Sequence, residues 1–200
     1  MSGYSILSLG DILAEKGEDF CREILSCFSC PLNPDVEKFL TKRAAIDFEK
    51  QSISRTFLVY ASYKHKKVIC GYFTIANKFI LVPKSAVPKT LGHRLRKFAI
   101  PQSPGGGFVI SAQLVAQLGK NNDYRHLISG DELLKMAIDK IVEAQRIIGG
   151  KIVYVECEDK PQLTQFYERN LFIRFGARQL DKDEQDEMAG AELLQYLKYI

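Results

Sequence analysis

The stretch Arg125-His126-Leu127-Ile128-Ser129-Gly130 ends a polar loop, Gly119 to Ser129, and opens a segment of helical periodicity. Leu133, Leu134, Ala137, Ile138, Ile141 and Ala144 recur at helical spacing from Gly130 to Ile147, and Gly149-Gly150 stops the helix. Phe108 to Leu118, before the loop, reads as a strand. A loop feeding a helix N-terminus presents unpaired backbone N–H groups, and the helix dipole favours an anion there. Gly130 leaves the backbone bare at that point, so a phosphate can approach it. Taken alone, an ordinary strand-to-helix turn is the commoner source of such a pattern.

Downstream, Ile152 to Cys157 reads as a strand, and Pro161 to Arg169 as a short helix with proline in its first turn. Leu171 to Phe175 and Leu193 to Tyr199 read as further strands. Upstream, Ile12, Leu13, Phe20, Ile24 and Leu25 give Leu9 to Cys27 a helical pattern. Cys30-Pro31-Leu32-Asn33-Pro34 breaks it. Asp35 can then cap a second helix striped by Val36, Phe39, Leu40, Ala44 and Phe48. Thr56 to Tyr63 and Val68 to Leu81 are strands, joined by the basic hairpin loop Tyr63 to Lys67. Val82 to Gly107 reads mostly as loop, with a short helix. The order predicts an α/β (α+β layered) fold: a mixed, mostly antiparallel central sheet flanked by helices, with an extra N-terminal helix.

Two hundred residues suit one domain, 1–200, with 1–30 as a helical extension and 108–177 as the binding core. No apolar run reaches the length of a membrane span, and Met1 to Gly10 lacks the pattern of a signal peptide; a cytoplasmic protein is the expectation. Cys21, Cys27, Cys30, Cys70 and Cys157 are odd in number and scattered, which argues against a disulfide framework. Cys27 and Cys30 form a lone CxxC without a second pair or suitably spaced histidines, so no metal site is expected. Net charge is +4, with a denser basic cluster at Lys84, Lys89, His93, Arg94, Arg96 and Lys97. Such a cluster reads first as a solvated face and second as a phosphate-attracting one.

A second element, Phe166-Tyr167-Glu168-Arg169-Asn170-Leu171-Phe172, follows Arg125 by about 40 residues. Together the two resemble the GNAT N-acetyltransferase superfamily, which has an Arg/Gln-x-x-Gly-x-Gly/Ala turn into a long helix and a later Tyr-Glu-x-x-Gly-Phe ending. The resemblance covers about the last hundred residues, and the hairpin ending in Cys70-Gly71-Tyr72-Phe73-Thr74-Ile75 fits it too. Ile128 stands where the first glycine belongs, and Leu171 where the second motif has glycine. The resemblance implies an acetyl-CoA-dependent N-acetyltransferase acting on a primary amine by direct transfer in a ternary complex. It implies that the backbone of Leu118, Leu127, Ile128, Ser129, Gly130 and Asp131 lines the coenzyme, with Arg125 beside the pyrophosphate. Lys160 takes the place of an asparagine near the pantetheine arm. Tyr167 would donate a proton to the departing thiolate, in competition with a plain core role.

An ammonium has no lone pair, so a base is needed. Glu156 is the candidate and Asp159 the runner-up, each competing with a plain surface role; Cys157 reads as a buried thiol rather than an acyl carrier. Asn33 to Leu40, Ala44, Ala45 and Thr56 to Val59 resemble the front half of GNAT toxins of toxin–antitoxin pairs, which acetylate aminoacyl-tRNA. That makes tRNA an alternative acceptor. A non-catalytic binding module is a further alternative, since fold does not guarantee activity. The N-terminal helix has two uses open to it: covering the acceptor groove or making a homodimer contact.

Overall fold

The computed structural model describes residues 3–42, 44–101, 106–181 and 192–200. The chain opens with β1 (Tyr4–Ser8) and four helices, α1 (Leu9–Lys16), α2 (Glu18–Ser26), α3 (Pro34–Thr41) and α4 (Ala44–Lys50). The hairpin β2 (Arg55–Tyr63) and β3 (Lys66–Pro83) follows, then α5 (Lys89–Leu95), β4 (Ala99–Pro101) and β5 (Gly107–Lys120). The last elements are α6 (Gly130–Ile148), β6 (Ile152–Cys157), α7 (Pro161–Arg169), β7 (Ile173–Gln179) and β8 (Glu192–Tyr199). Short 3-10 turns lie at Lys84–Ala86 and Asn122–Tyr124. The strands pair in the order β1-β2-β3-β5-β6-β8-β7, with β4 on β5. Pairing is antiparallel at β1–β2, β2–β3, β4–β5, β6–β8 and β7–β8. It is parallel where Gln113 and Leu114 of β5 meet Val153 and Tyr154 of β6. The mixed, mostly antiparallel sheet with helices is the architecture expected from the sequence.

The residues gather into two compact units: Met1–Ala76 with Ala116–Asp139, and Asn77–Val115 with Lys140–Ile200. In the first, α1 to α4 bury Leu9, Leu25, Leu40 and Ile46 against Leu58 and Tyr72 of the hairpin. The fully buried Tyr72 donates its hydroxyl to the Val36 carbonyl at 2.5 Å, which satisfies the one polar atom on a core ring. Lys64 and His65 turn the hairpin with φ of 47° and 63°. Two successive left-handed residues match the twist of the flanking strands, so the expected basic loop shrinks to these two. The expected helix over Leu9 to Cys27 is two helices: Gly17 adopts φ 83°, and its N–H closes α1 on the Leu13 carbonyl at 3.0 Å. Residues 1–30, expected as a helical extension, begin with β1, an edge strand running from Tyr4↔Ala61 to Ser8↔Phe57.

In the second unit, Leu91 and Leu95 of α5 pack with Ile110, Ile152, Phe175 and Leu197. The region Val82 to Gly107, expected mostly as loop, therefore holds a helix that buries two leucines, and β4; residues 102–105 of it lie outside those described. β7 starts at Ile173 rather than Leu171, because α7 closes first: Phe172 N–H reaches back to the Tyr167 carbonyl at 3.0 Å.

Gly119 is a point of close approach in the first unit. A Cβ there would lie 2.5 Å from Val36 Cγ1 and 2.8 Å from Tyr72 Cε1. The Tyr72 ring cannot shift without disturbing its hydrogen bond to the Val36 carbonyl. Gly119→Ala should destabilise the fold by about 1–3 kcal/mol, read as a lower urea midpoint at unchanged slope.

Candidate active site

The turn before α6 is held by its carbonyls. Lys120, the last residue of β5, donates Nζ to the carbonyls of Arg125 at 3.1 Å and Ile128 at 3.0 Å. Tyr4 of β1 donates its hydroxyl to the Leu127 carbonyl at 2.5 Å. Asn121, buried, ties the start of the turn to the unit: its side chain donates to Ile69 O at 3.0 Å and its N–H to Cys70 O at 2.9 Å. A trans peptide points its N–H opposite to its C=O. With the carbonyls of Leu127 and Ile128 pinned, the N–H groups of Ile128 and Ser129 face the other way.

A carboxylate already sits on that side. Glu132 Oε2 accepts from Ser129 N–H at 2.9 Å and from Ser129 Oγ at 2.8 Å, while Ser129 Oγ accepts from Glu132 N–H at 3.1 Å. This is a capping box, and the hydrogen bonds from Ser129 lower the Glu132 carboxyl below its ordinary pKa. The Ser129 amide and hydroxyl thus hold a carboxylate in this structure. Among the described residues the N–H groups of Ile128 and Gly130 meet no acceptor. Leu127 N–H is spent on Tyr124 O at 2.9 Å, so its backbone has neither group to offer. Ile128 is buried and its φ is not positive, so the missing glycine costs nothing in backbone strain. Arg125, Ser129 and Asp131 are exposed; Leu118 is half-buried on β5.

The second unit holds the other candidates. Tyr167, on the last turn of α7, is 7% exposed and packs with Phe166, Phe172 and Tyr196 at ring distances of 5.1, 5.7 and 6.2 Å. Burial, and secondarily Cys157, raises its pKa, so the phenol stays protonated at neutral pH. Its hydroxyl has no hydrogen-bond partner among the described residues. Burial, then Asp159 and Glu158, lifts the Cys157 thiol to about 11, which makes it a poor nucleophile. Glu156 is committed on both oxygens: Oε2 to Arg178 at 2.8 Å and Oε1 to Gln195 at 2.9 Å. Lys160 precedes α7 and pairs with Glu158 at 2.6 Å, and Asp159 is exposed.

Glu132 carries a sequence signal beyond the residues named above, the capping-box spacing Ser129-x-x-Glu132. Tyr4 and Lys120 left no sequence signal, because each reaches the turn only through the fold. Among the described residues, no group of three or more His, Cys, Asp or Glu can hold a metal, and no helix is long and apolar enough to cross a membrane.

No protein-family model matches the sequence, and no curated protein matches it. Solved structures do match. The chain superposes on a Tyr-to-Phe variant of KacT with TM-score 0.64, 16% identity and coverage of 98% of this chain and 95% of that one. It superposes on AtaT complexed with acetyl-methionyl-tRNAfMet with TM-score 0.61, 16% identity and coverage of 96% and 93%. AtaTR bound with AcCoA matches with TM-score 0.59, 15% identity and coverage of 100% and 94%. These neighbours are GNAT-fold toxins, and the fold of this chain is the GNAT fold.

Leu171, where the motif has glycine, adopts φ 64° with its side chain 74% exposed. A left-handed conformation costs a branched residue roughly 1–2 kcal/mol, and this side chain recovers little by packing. Leu171→Gly should therefore raise stability by up to about 1 kcal/mol in a urea titration, despite glycine's extra unfolded-state entropy.

Proposed function

We propose that this chain is an acetyl-CoA-dependent N-acetyltransferase that moves an acetyl group to a primary amine by direct transfer. The observation that carries the reading is the pinned turn before α6, where the Ser129 amide and hydroxyl already hold a carboxylate and the Ile128 and Gly130 amides meet no acceptor among the described residues. Gly130, Ile128 and Ser129 offer N–H groups to the coenzyme diphosphate, with Arg125 exposed beside them. Glu132 must leave Ser129 for that to happen; its side chain is exposed, and its other neighbours are the Tyr4 hydroxyl and Lys120.

Bound acetyl-CoA supplies the acetyl thioester, whose carbonyl carbon a neutral amine attacks as the carbon–sulfur bond breaks. Tyr167 is the proton donor to the leaving sulfur. Its buried phenol holds the proton at neutral pH, and no competing acceptor in the described chain draws it away. Glu156 would have to surrender Arg178 and Gln195 to act as a base, so we assign it to holding β6 against β7 and β8, and the amine's proton to water. Cys157 stays a thiol and carries no acyl group.

Aminoacyl-tRNA is the acceptor we favour. The likeness to AtaT, solved with acetyl-methionyl-tRNAfMet, over nearly the whole of both chains supports this choice. Coenzyme binding with no turnover on any amine would replace the enzyme reading with a binding module.

Two measurements test these roles. In calorimetric titration with acetyl-CoA, Gly130→Glu should abolish binding and Glu132→Gln should tighten it several-fold. Equal affinities in all three proteins would remove the turn from the site. Tyr167→Phe should lower kcat by about 10²–10⁴-fold at unchanged acetyl-CoA affinity, followed by release of free thiol; undiminished turnover would sink the proton-donor role.

A further inference from the structure

From Lys50 to Asn122 the chain carries twelve Lys and Arg and no Asp or Glu, although acids number 24 in the whole. The mild net charge of +4 therefore conceals a sharp separation of sign along the sequence. In the second unit this acid-free stretch folds into the end of β3, the 3-10 turn at Lys84–Ala86, α5 and β4. Leu91 and Leu95 point α5 into the core, which turns its remaining positions outward. Lys84, Lys89, His93, Arg94, Arg96 and Lys97 are all exposed, and none forms an ion pair among the described residues. Surface cations of ordinary proteins are interspersed with acids; five Lys and Arg between Lys84 and Lys97, none in an ion pair among the described residues, make a strong local positive potential.

The same face carries aromatic rings. Arg94 stacks over the ring of Tyr199 at 5.5 Å, and Phe98, part-exposed, meets Tyr199 edge-on at 6.2 Å. Rings set among unpaired cations suit a polyanion that also has planar bases to stack. A membrane surface fits less well. α5 spends its apolar side chains on the core and keeps no apolar stripe free to enter a bilayer.

We infer that the basic face around α5 is an RNA-docking surface that holds phosphates of the acceptor molecule. The choice of tRNA as probe rests on the acceptor named above. Arg96 and Lys97 hold phosphates, while Arg94, braced on the half-buried Tyr199, presents a cation beside Phe98.

The test is fluorescence anisotropy with labelled bulk tRNA at several salt concentrations. The variant Arg94→Glu/Arg96→Glu/Lys97→Glu should bind at least tenfold more weakly. Its slope of log affinity against log salt should be shallower by about two, near 0.7–0.9 for each lost contact. Arg96→Lys should keep the slope. A charge-matched control, Lys42→Glu/Lys135→Glu/Lys151→Glu, should change affinity less than threefold. Equal losses in the two triple variants, no loss in the α5 variant, or no tRNA binding by the unaltered protein would overturn the surface. So would preference for phosphatidylserine vesicles over tRNA at the same salt. Acetyl-CoA titration of the same samples separates the two ideas: RNA binding that survives without coenzyme binding sinks the enzyme and keeps the surface.

Discussion

The arrangement depends on the peptide groups of one turn being held by their oxygens. Lys120 and Tyr4 take the carbonyls of Arg125, Leu127 and Ile128, and a planar peptide leaves its N–H no choice of direction once its C=O is fixed. The turn needs no run of glycines for this. Ile128 keeps an ordinary φ and is buried, so the residue that departs from the motif anchors the turn by its side chain while its amide remains usable. The edge strand β1 thereby acquires a purpose beyond the sheet, since it delivers the Tyr4 hydroxyl.

The capping box on α6 has two consequences that oppose each other. It satisfies N–H groups that would otherwise depend on water, which stabilises the helix start. It also fills an anion position with the protein's own charge. An anionic ligand must outcompete a tethered carboxylate, and it has the advantage of carrying more charge and more acceptor oxygens.

In the second unit, burial does the chemical tuning. Tyr167 and Cys157 lie in apolar surroundings that penalise charge, so both keep their protons at neutral pH. That suits the proton-donor role proposed for the phenol and makes the thiol a poor nucleophile. Glu156 illustrates the opposite case. Its strand places it across from Gln195, and Arg178 closes on its other oxygen, so both oxygens of the candidate base are bonded across strands.

What the sequence by itself determined is local: the α6 helix and its glycine stop, β6 and α7, the order of alternating elements, and the Arg125–Gly130 turn as an anion candidate. These follow from periodicity and capping residues that act within a few positions of one another. The Ser129–Glu132 box belongs to the same class and was readable there. Only the tertiary structure decided that α1 and α2 part at Gly17, that β1 pairs at the sheet edge, and that Leu171 is left-handed. It alone revealed that Tyr4 reaches Leu127, Lys120 the turn, and Arg178 the Glu156 carboxylate. Those outcomes are set by partners far along the chain, and a hydrogen bond that exists only when two distant segments meet leaves no periodic trace in either one.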